Sequence, residues 1–95
     1  ALELQEDLYR ILSEAMHNVV KHASATAVEV SINVGTTALV LEVVDNGTGS
    51  AEVQSGREQL GLVSMRERTE RWGGRFEAGP RPDGGWLVRV RVPHQ

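Results

Sequence analysis

Glu14-Ala15-Met16-His17-Asn18-Val19-Val20-Lys21-His22-Ala23 is the stretch that decides how the rest of the chain is read. At about 100° per residue, steps of four and then three residues place Glu14, Asn18 and Lys21 on one narrow stripe of a helix. A carboxylate, a carboxamide and an ammonium therefore line up. The other side of the same helix carries Leu4, Leu8, Ile11, Leu12, Ala15, Val19 and Ala23, the recurrence of a face packed on a sheet. The polar stripe is not needed to seat the helix, so its chemistry asks for another explanation. The helix is expected over residues 3–23, ended by the change of pattern at Ser24-Ala25-Thr26.

Beyond it, Val28, Val30, Ile32 and Val34 alternate with Glu29, Ser31 and Asn33, the period of a half-buried strand. Gly35-Thr36-Thr37 turns the chain. Residues 39–44 are apolar on both sides except for Glu42, which places them centrally in a sheet, antiparallel to the preceding strand. From Asn46 to Leu60 the pattern disappears, and a long irregular segment in a small domain is usually functional. A second helix is expected over residues 61–72, with Leu62, Met65, Thr69 and Trp72 on one face and Gly73-Gly74 as its stop. Residues 74–78 and 86–92 form a final hairpin around the turn at 80–85, closed by Pro93. Helix, strand, strand, loop, helix, strand, strand makes an α/β two-layer sandwich, a mostly antiparallel sheet covered on one face by helices.

Ninety-five residues make one domain, 1–95, able to bury about 60% of its unfolded surface. With 40% hydrophobic and 24% charged residues the chain is neither disordered nor membrane-embedded. A net charge of −3 gives no general attraction to phosphate backbones, which argues against a nucleic-acid partner. The absence of cysteine removes disulfides and thiolate metal sites and suits a reducing compartment. No apolar run approaches the roughly 18 residues of a membrane span. The start in helix-like sequence without an initiator Met suggests a domain excised from something longer.

Two further clusters carry chemistry. Asp45-Asn46-Gly47-Thr48-Gly49 stands where the central strand leaves the sheet, and there a carboxylate can accept a hydrogen bond from an exocyclic amine while glycines let backbone approach a flat ligand. Alone, Asp-Asn-Gly is equally an excellent turn. Gly61-Leu62 stands where the second helix is expected to begin, so that free N–H groups and the positive dipole end could meet a phosphate. Alone, this is equally an ordinary glycine N-cap.

The three clusters in this order resemble the ATP-binding catalytic domain of two-component sensor histidine kinases, the Bergerat-type fold. Residues 14–23 are similar to that family's N box, 45–49 to its G1 box, and 60–74, Leu-Gly-Leu-Val-Ser-Met-Arg-Glu-Arg-Thr-Glu-Arg-Trp-Gly-Gly, to its G2 region. The Met-Arg-Glu-Arg run resembles the short-lidded subclass that includes nitrate and nitrite sensors. The resemblance implies that Asn18 coordinates the Mg²⁺ bridging the phosphates, that Glu14 orients or deprotonates the attacking nucleophile, and that Lys21 contacts phosphate oxygens. It implies that Asp45 binds the adenine amine, that Gly47 and Gly49 shape the purine pocket, and that Gly61 with Leu62 holds the end of the lid near the phosphates. Phosphoryl transfer suits such a set, because it needs positioning and charge neutralisation more than covalent help.

The same resemblance implies ATP and Mg²⁺ as cofactors, a phosphoacceptor histidine on a separate dimerisation domain, a response regulator downstream, and a homodimeric parent. It implies a cytoplasmic location with no membrane contact by this domain, whether or not the parent is anchored. His17, His22 and His94 are not in an acceptor setting. Two departures stand out: Gln59 occupies the place of the first glycine of a Gly-x-Gly-Leu lid, and Gly85 is followed by Trp86 where the family commonly has Thr. They keep open a degenerate module that binds no nucleotide, beside an anti-sigma-type serine kinase and an ATP-gated ATPase of the same fold. Arg66, Arg68 and Arg71, interrupted by Glu67 and Glu70, read as a solvated, ion-paired face, and Trp72 and Trp86 as core.

Overall fold

The computed structural model describes residues 2–22, 26–47 and 56–94. Over these the chain runs α1 (Leu2–His22), β1 (Val28–Val34), β2 (Ala38–Asp45), α2 (Gly56–Arg71), β3 (Arg75–Pro80) and β4 (Trp86–Pro93). The four strands form one antiparallel sheet in the order β1-β2-β4-β3, so β2 is an inner strand as its two-sided apolar character requires. The core lies between one face of this sheet and the two helices. Ile11 and Ala15 enter it from α1, Met65 from α2, Leu41 and Val43 from β2, Phe76 from β3, and Val88, Val90 and Val92 from β4. Leu4, Leu8, Leu12, Val19, Leu62, Trp72 and Trp86 pack around its margin. The expected two-layer sandwich is the observed one.

α2 ends as its glycines require. Gly73 takes φ +72°, and the N–H groups of Gly73 and Gly74 donate to the carbonyls of Glu70 and Thr69, closing the last turn without a side chain in the way. Its beginning differs from expectation: the helix starts at Gly56, not at Gly61. Arg57, Glu58, Gln59 and Leu60 are good helix formers, and their propensity carries the helix back through the segment where hydrophobic periodicity is missing. Residues 48–55 of the expected irregular stretch, and the chain between α1 and Thr26, lie outside the described residues.

β1 also differs. Its alternation does set its face, since Val30 and Ile32 pair with Val43 and Leu41 and share their side of the sheet. The strand is nevertheless exposed and not half-buried, with Ile32 at 58% and Val34 at 69% of full exposure. α1 packs over β2 and α2 over β3 and β4, so the helical layer stops short of this edge. Alternation reports which side is apolar and not whether anything covers it. On the open face of the sheet Arg89 of β4 is held between Glu42 of β2 and Glu77 of β3, a cross-strand ion-pair row.

Candidate functional site

Two groups of the expected residues come together, one at the end of β2 and one between the two helices. The first is at the end of β2. Asp45 shares the face of Leu41 and Val43, where the helices lie, and is 3% exposed. Its Oδ1 accepts the N–H of Gly47 at 2.8 Å, a turn closed by a side chain over the buried glycine. Among the described residues Oδ2 has no hydrogen-bond partner. A buried carboxyl oxygen of this kind is an acceptor waiting for a donor.

Two neighbours fix that carboxyl. Asn46 points away from it and clamps the entrance to β1: its Oδ1 accepts the N–H groups of Thr26 and Ala27 at 3.1 and 3.0 Å, and its Nδ2 donates to Thr26 Oγ1 at 2.9 Å. Gly85, at φ +88°, lies directly against the backbone of Asp45, and a Cβ there would overlap the Asp45 carbonyl oxygen. Trp86, the next residue, is the register partner of Asp45 on β4. The sequence reading used Asn46 as a turn residue and Gly85 as a turn residue before Trp86, and gave neither a contact around Asp45. The signal for Gly85 was the Gly84-Gly85 pair placed just ahead of the strand that must pair with the end of β2.

The second group joins the helices. Glu14 and Asn18 are half-buried on α1, one turn apart. Gly61 lies inside α2, is buried, and packs on Glu14 so closely that a Cβ would stand 2.6 Å from Glu14 Oε2. The glycine is thus explained by a neighbouring carboxylate and not by a helix N-cap. Because the helices run antiparallel, the step from Glu14 to Asn18 corresponds to a step from Gly61 back into the first turn of α2, where backbone N–H groups lack intrahelical partners. Leu62 is half-buried and packs on the core, anchoring this part of α2. Lys21 lies in the last turn of α1 and its side chain is outside the described residues, as is Gly49 altogether.

Sequence reasoning missed Asp7. It is 5% exposed and receives Arg68 Nη1 at 3.1 Å on Oδ1, with Arg71 Nη1 at 3.1 Å and Trp72 Nε1 at 2.8 Å on Oδ2. Burial alone would raise its pKa, but the hydrogen bonds from Trp72 and Arg68 and the charge of Arg71 outweigh that and hold the carboxyl below its usual range. Arg68 and Arg71 are therefore not merely a solvated face; they reach across to α1. Extending the polar stripe two turns back from Glu14 lands on Asp7, which was the available signal.

The donor set suits a nucleotide carrying its own cation. Among the described residues no three His, Cys, Asp or Glu side chains gather as a metal cage. A hard divalent cation that keeps phosphate and water ligands needs only one or two protein oxygens, and half-buried Asn18 carries one carboxamide oxygen. No helix among the described residues is long and apolar enough to cross a membrane.

Over residues 3–95 the chain matches the family model described as histidine kinase-, DNA gyrase B- and HSP90-like ATPase. The sensor histidine kinase LiaS of Bacillus subtilis (strain 168) is 36% identical over 90 residues, covering 95% of this chain and 25% of LiaS. The sensor protein VraS of Staphylococcus aureus (strain COL) is 32% identical over 90 residues, covering 95% of this chain and 26% of VraS. The chain spans about a quarter of the length of these curated relatives. The ATP-binding domain of PrrB from Mycobacterium tuberculosis aligns with a TM-score of 0.73 at 28% identity, over 95% of this chain and 68% of that one. The histidine kinase domain of the Erythrobacter litoralis EL346 blue-light activated kinase, at 21% identity and a TM-score of 0.79 over 98% of this chain and 46% of that one, shares the fold.

Proposed function

Since this chain belongs to the histidine kinase-, DNA gyrase B- and HSP90-like ATPase family, we propose that it binds Mg·ATP and presents the γ-phosphate to a histidine on a separate dimerisation domain, as the catalytic domain, residues 1–95, of a two-component sensor kinase. Asp45 accepts the exocyclic amine of adenine, with Gly47 and Gly49 shaping the purine pocket. Asn18 supplies a protein oxygen to Mg²⁺, Lys21 contacts phosphate oxygens, Gly61 with Leu62 holds the end of the lid near the phosphates, and Glu14 orients or deprotonates the incoming imidazole. Bound Mg²⁺ supplies neutralisation of the charge that spreads over the phosphoryl oxygens. A response regulator then takes the phosphoryl group, in the cytoplasm, within a homodimeric parent.

One observation carries this reading: the buried Asp45 carboxyl, tied through Oδ1 to Gly47 and without a partner for Oδ2 among the described residues. The relative named as a sensor histidine kinase favours a histidine acceptor over a serine one. Calorimetric titration with Mg·ATP tests binding, with saturable heat expected for the native chain and at least a tenfold weaker affinity for Asn18→Ala. Transfer is tested by adding dimerisation domains and labelled ATP, the expected product being acid-labile and alkali-stable. A flat titration of the native chain would refute nucleotide binding, and an acid-stable product would refute the histidine acceptor.

A further inference from the structure

The residues that join α1 to α2 repeat with the same spacing on both helices. On α1, Asp7, Ile11, Glu14 and Asn18 are separated by four, three and four residues; on α2, Gly61, Met65, Arg68 and Trp72 are separated by four, three and four. Each set therefore lies on one stripe. With the helices antiparallel, Asp7 meets Arg68, Arg71 and Trp72 at one end, Ile11 and Met65, both 1% exposed, fill the middle, and Glu14 lies on Gly61 at the other end. Apolar packing at the centre tolerates sliding and repacking. The two ends do not. Three donors converge on the two oxygens of one carboxyl, and a glycine admits Glu14 only at one axial position.

We propose that Asp7 is a positioning residue for the phosphate end of the nucleotide site: by fixing the axial register of α2 on α1 it keeps Gly61 against Glu14 and the first turn of α2 opposite Asn18. This rests on the proposed nucleotide function, and it concerns a residue that touches no nucleotide. Asp7 lies seven residues, about two helical turns or 10 Å, from Glu14. When its donors are lost, α2 keeps its apolar packing on α1, β3 and β4 but loses the polar contacts that fix its axial position, and it can rotate or slide; the glycine then leaves the Glu14 carboxylate. Only the phosphate-binding part of the site uses α2, because Asp45 is held by β2, Gly47 and Gly85. Loss of Asp7 should thus separate phosphate binding from adenine binding.

The experiment has two readouts. The chain contains no cysteine, so spin labels at Ser13→Cys on α1 and Glu67→Cys on α2, both exposed, report the helix register directly by electron–electron dipolar spectroscopy. Affinities for Mg·ATP and for adenosine report the two ends of the site. Each is measured in the native background, in Asp7→Asn, and in Trp72→Phe, the milder variant that removes one donor while keeping most of the ring volume. Arg89→Ala, which removes the ion-pair row on the open face of the sheet away from both helices, serves as a destabilised control. The expected result is a shifted or broadened label distance and a tenfold or larger fall in Mg·ATP affinity, with adenosine affinity within twofold of native. Trp72→Phe should move both readouts in the same direction by less, and Arg89→Ala neither.

A lowered melting temperature with the distance and the ATP-to-adenosine ratio unchanged would make Asp7 merely structural and overturn the proposal. A shifted distance with an unchanged ratio would overturn its link to the site and leave nucleotide binding standing. If Asp7→Asn does not fold, Trp72→Phe decides. Absence of Mg·ATP binding by the native chain would overturn the functional reading, and the positioning role with it.

Discussion

The substitution that tests the site most sharply is Asp45→Asn. The 2.8 Å bond from the Gly47 N–H needs only an acceptor, and the carbonyl oxygen of an asparagine supplies it in the same place. That bond orients the amide, so the new NH₂ group occupies the position of Oδ2. An acceptor is thereby turned into a donor, at constant volume, in a position 3% exposed. A hydrogen bond to a carboxylate contributes about 1.5–3 kcal/mol, and a buried donor facing another donor costs on the order of 1–3 kcal/mol more. At 1.4 kcal/mol per tenfold, Mg·ATP should bind at least about 60 times more weakly, and up to on the order of 10⁴ times. The fold should survive, since no packing is lost. Inosine triphosphate, which offers a carbonyl oxygen where ATP offers an amine, should lose far less or gain, so the preference for ATP over ITP should narrow by at least tenfold. Calorimetry with both nucleotides measures this. An unchanged preference, with circular dichroism and melting temperature intact, would show that Asp45 does not read the base.

Gly61→Ala places a methyl 2.6 Å from the end of the Glu14 side chain, which can swing aside; stability should fall by roughly 1 kcal/mol while transfer activity falls at least tenfold, read by melting and by phosphotransfer assays. Gly85→Ala meets fixed backbone at a positive φ, so urea denaturation should show a loss of more than about 2 kcal/mol and a melting temperature lower by many degrees. Asp7 has a folded-state pKa below its ordinary 3.8, so the stability it contributes is complete above that value and disappears as pH falls below it toward the folded-state pKa. Asp7→Asn, expected to cost about 2 kcal/mol at neutral pH because Arg71 is largely exposed, should remove this part of the acid sensitivity, as pH-dependent denaturation curves would reveal.

Local chemistry made the architecture legible. Period-two alternation set the faces of β1 and β4, two-sided apolarity made β2 an inner strand, and Gly73-Gly74 stopped α2. What escaped depends on contacts between distant segments. Whether Val30 and Ile32 are covered is decided by where α1 and α2 rest, not by β1. That Gly61 serves a carboxylate 47 residues earlier in the chain is a fact of helix register, invisible while the glycine is read as a helix start. Asp7 reads from sequence as one more solvent-facing acid, and only its proximity to Arg68, Arg71 and Trp72 turns it into a buried junction. The placement of Glu14, Asn18 and Asp45 was legible because each belongs to a short motif whose geometry is set by its own helix or strand end.

The uncovered edge of the sheet has a dynamic consequence. β1 is joined to the domain by its ladder with β2 and by the Asn46 clamp, while its valines and isoleucine contribute little to the core. Opening β1 therefore exposes little apolar surface that is not exposed already, and such segments open at far lower free energy than the whole domain. Amide exchange should be fastest in β1, slower in β2 and slowest in β4. Each opening also releases the Asn46 side chain, the residue next to Asp45, so the Asp45 end of the candidate site can breathe with the sheet edge while the helix pair stays closed.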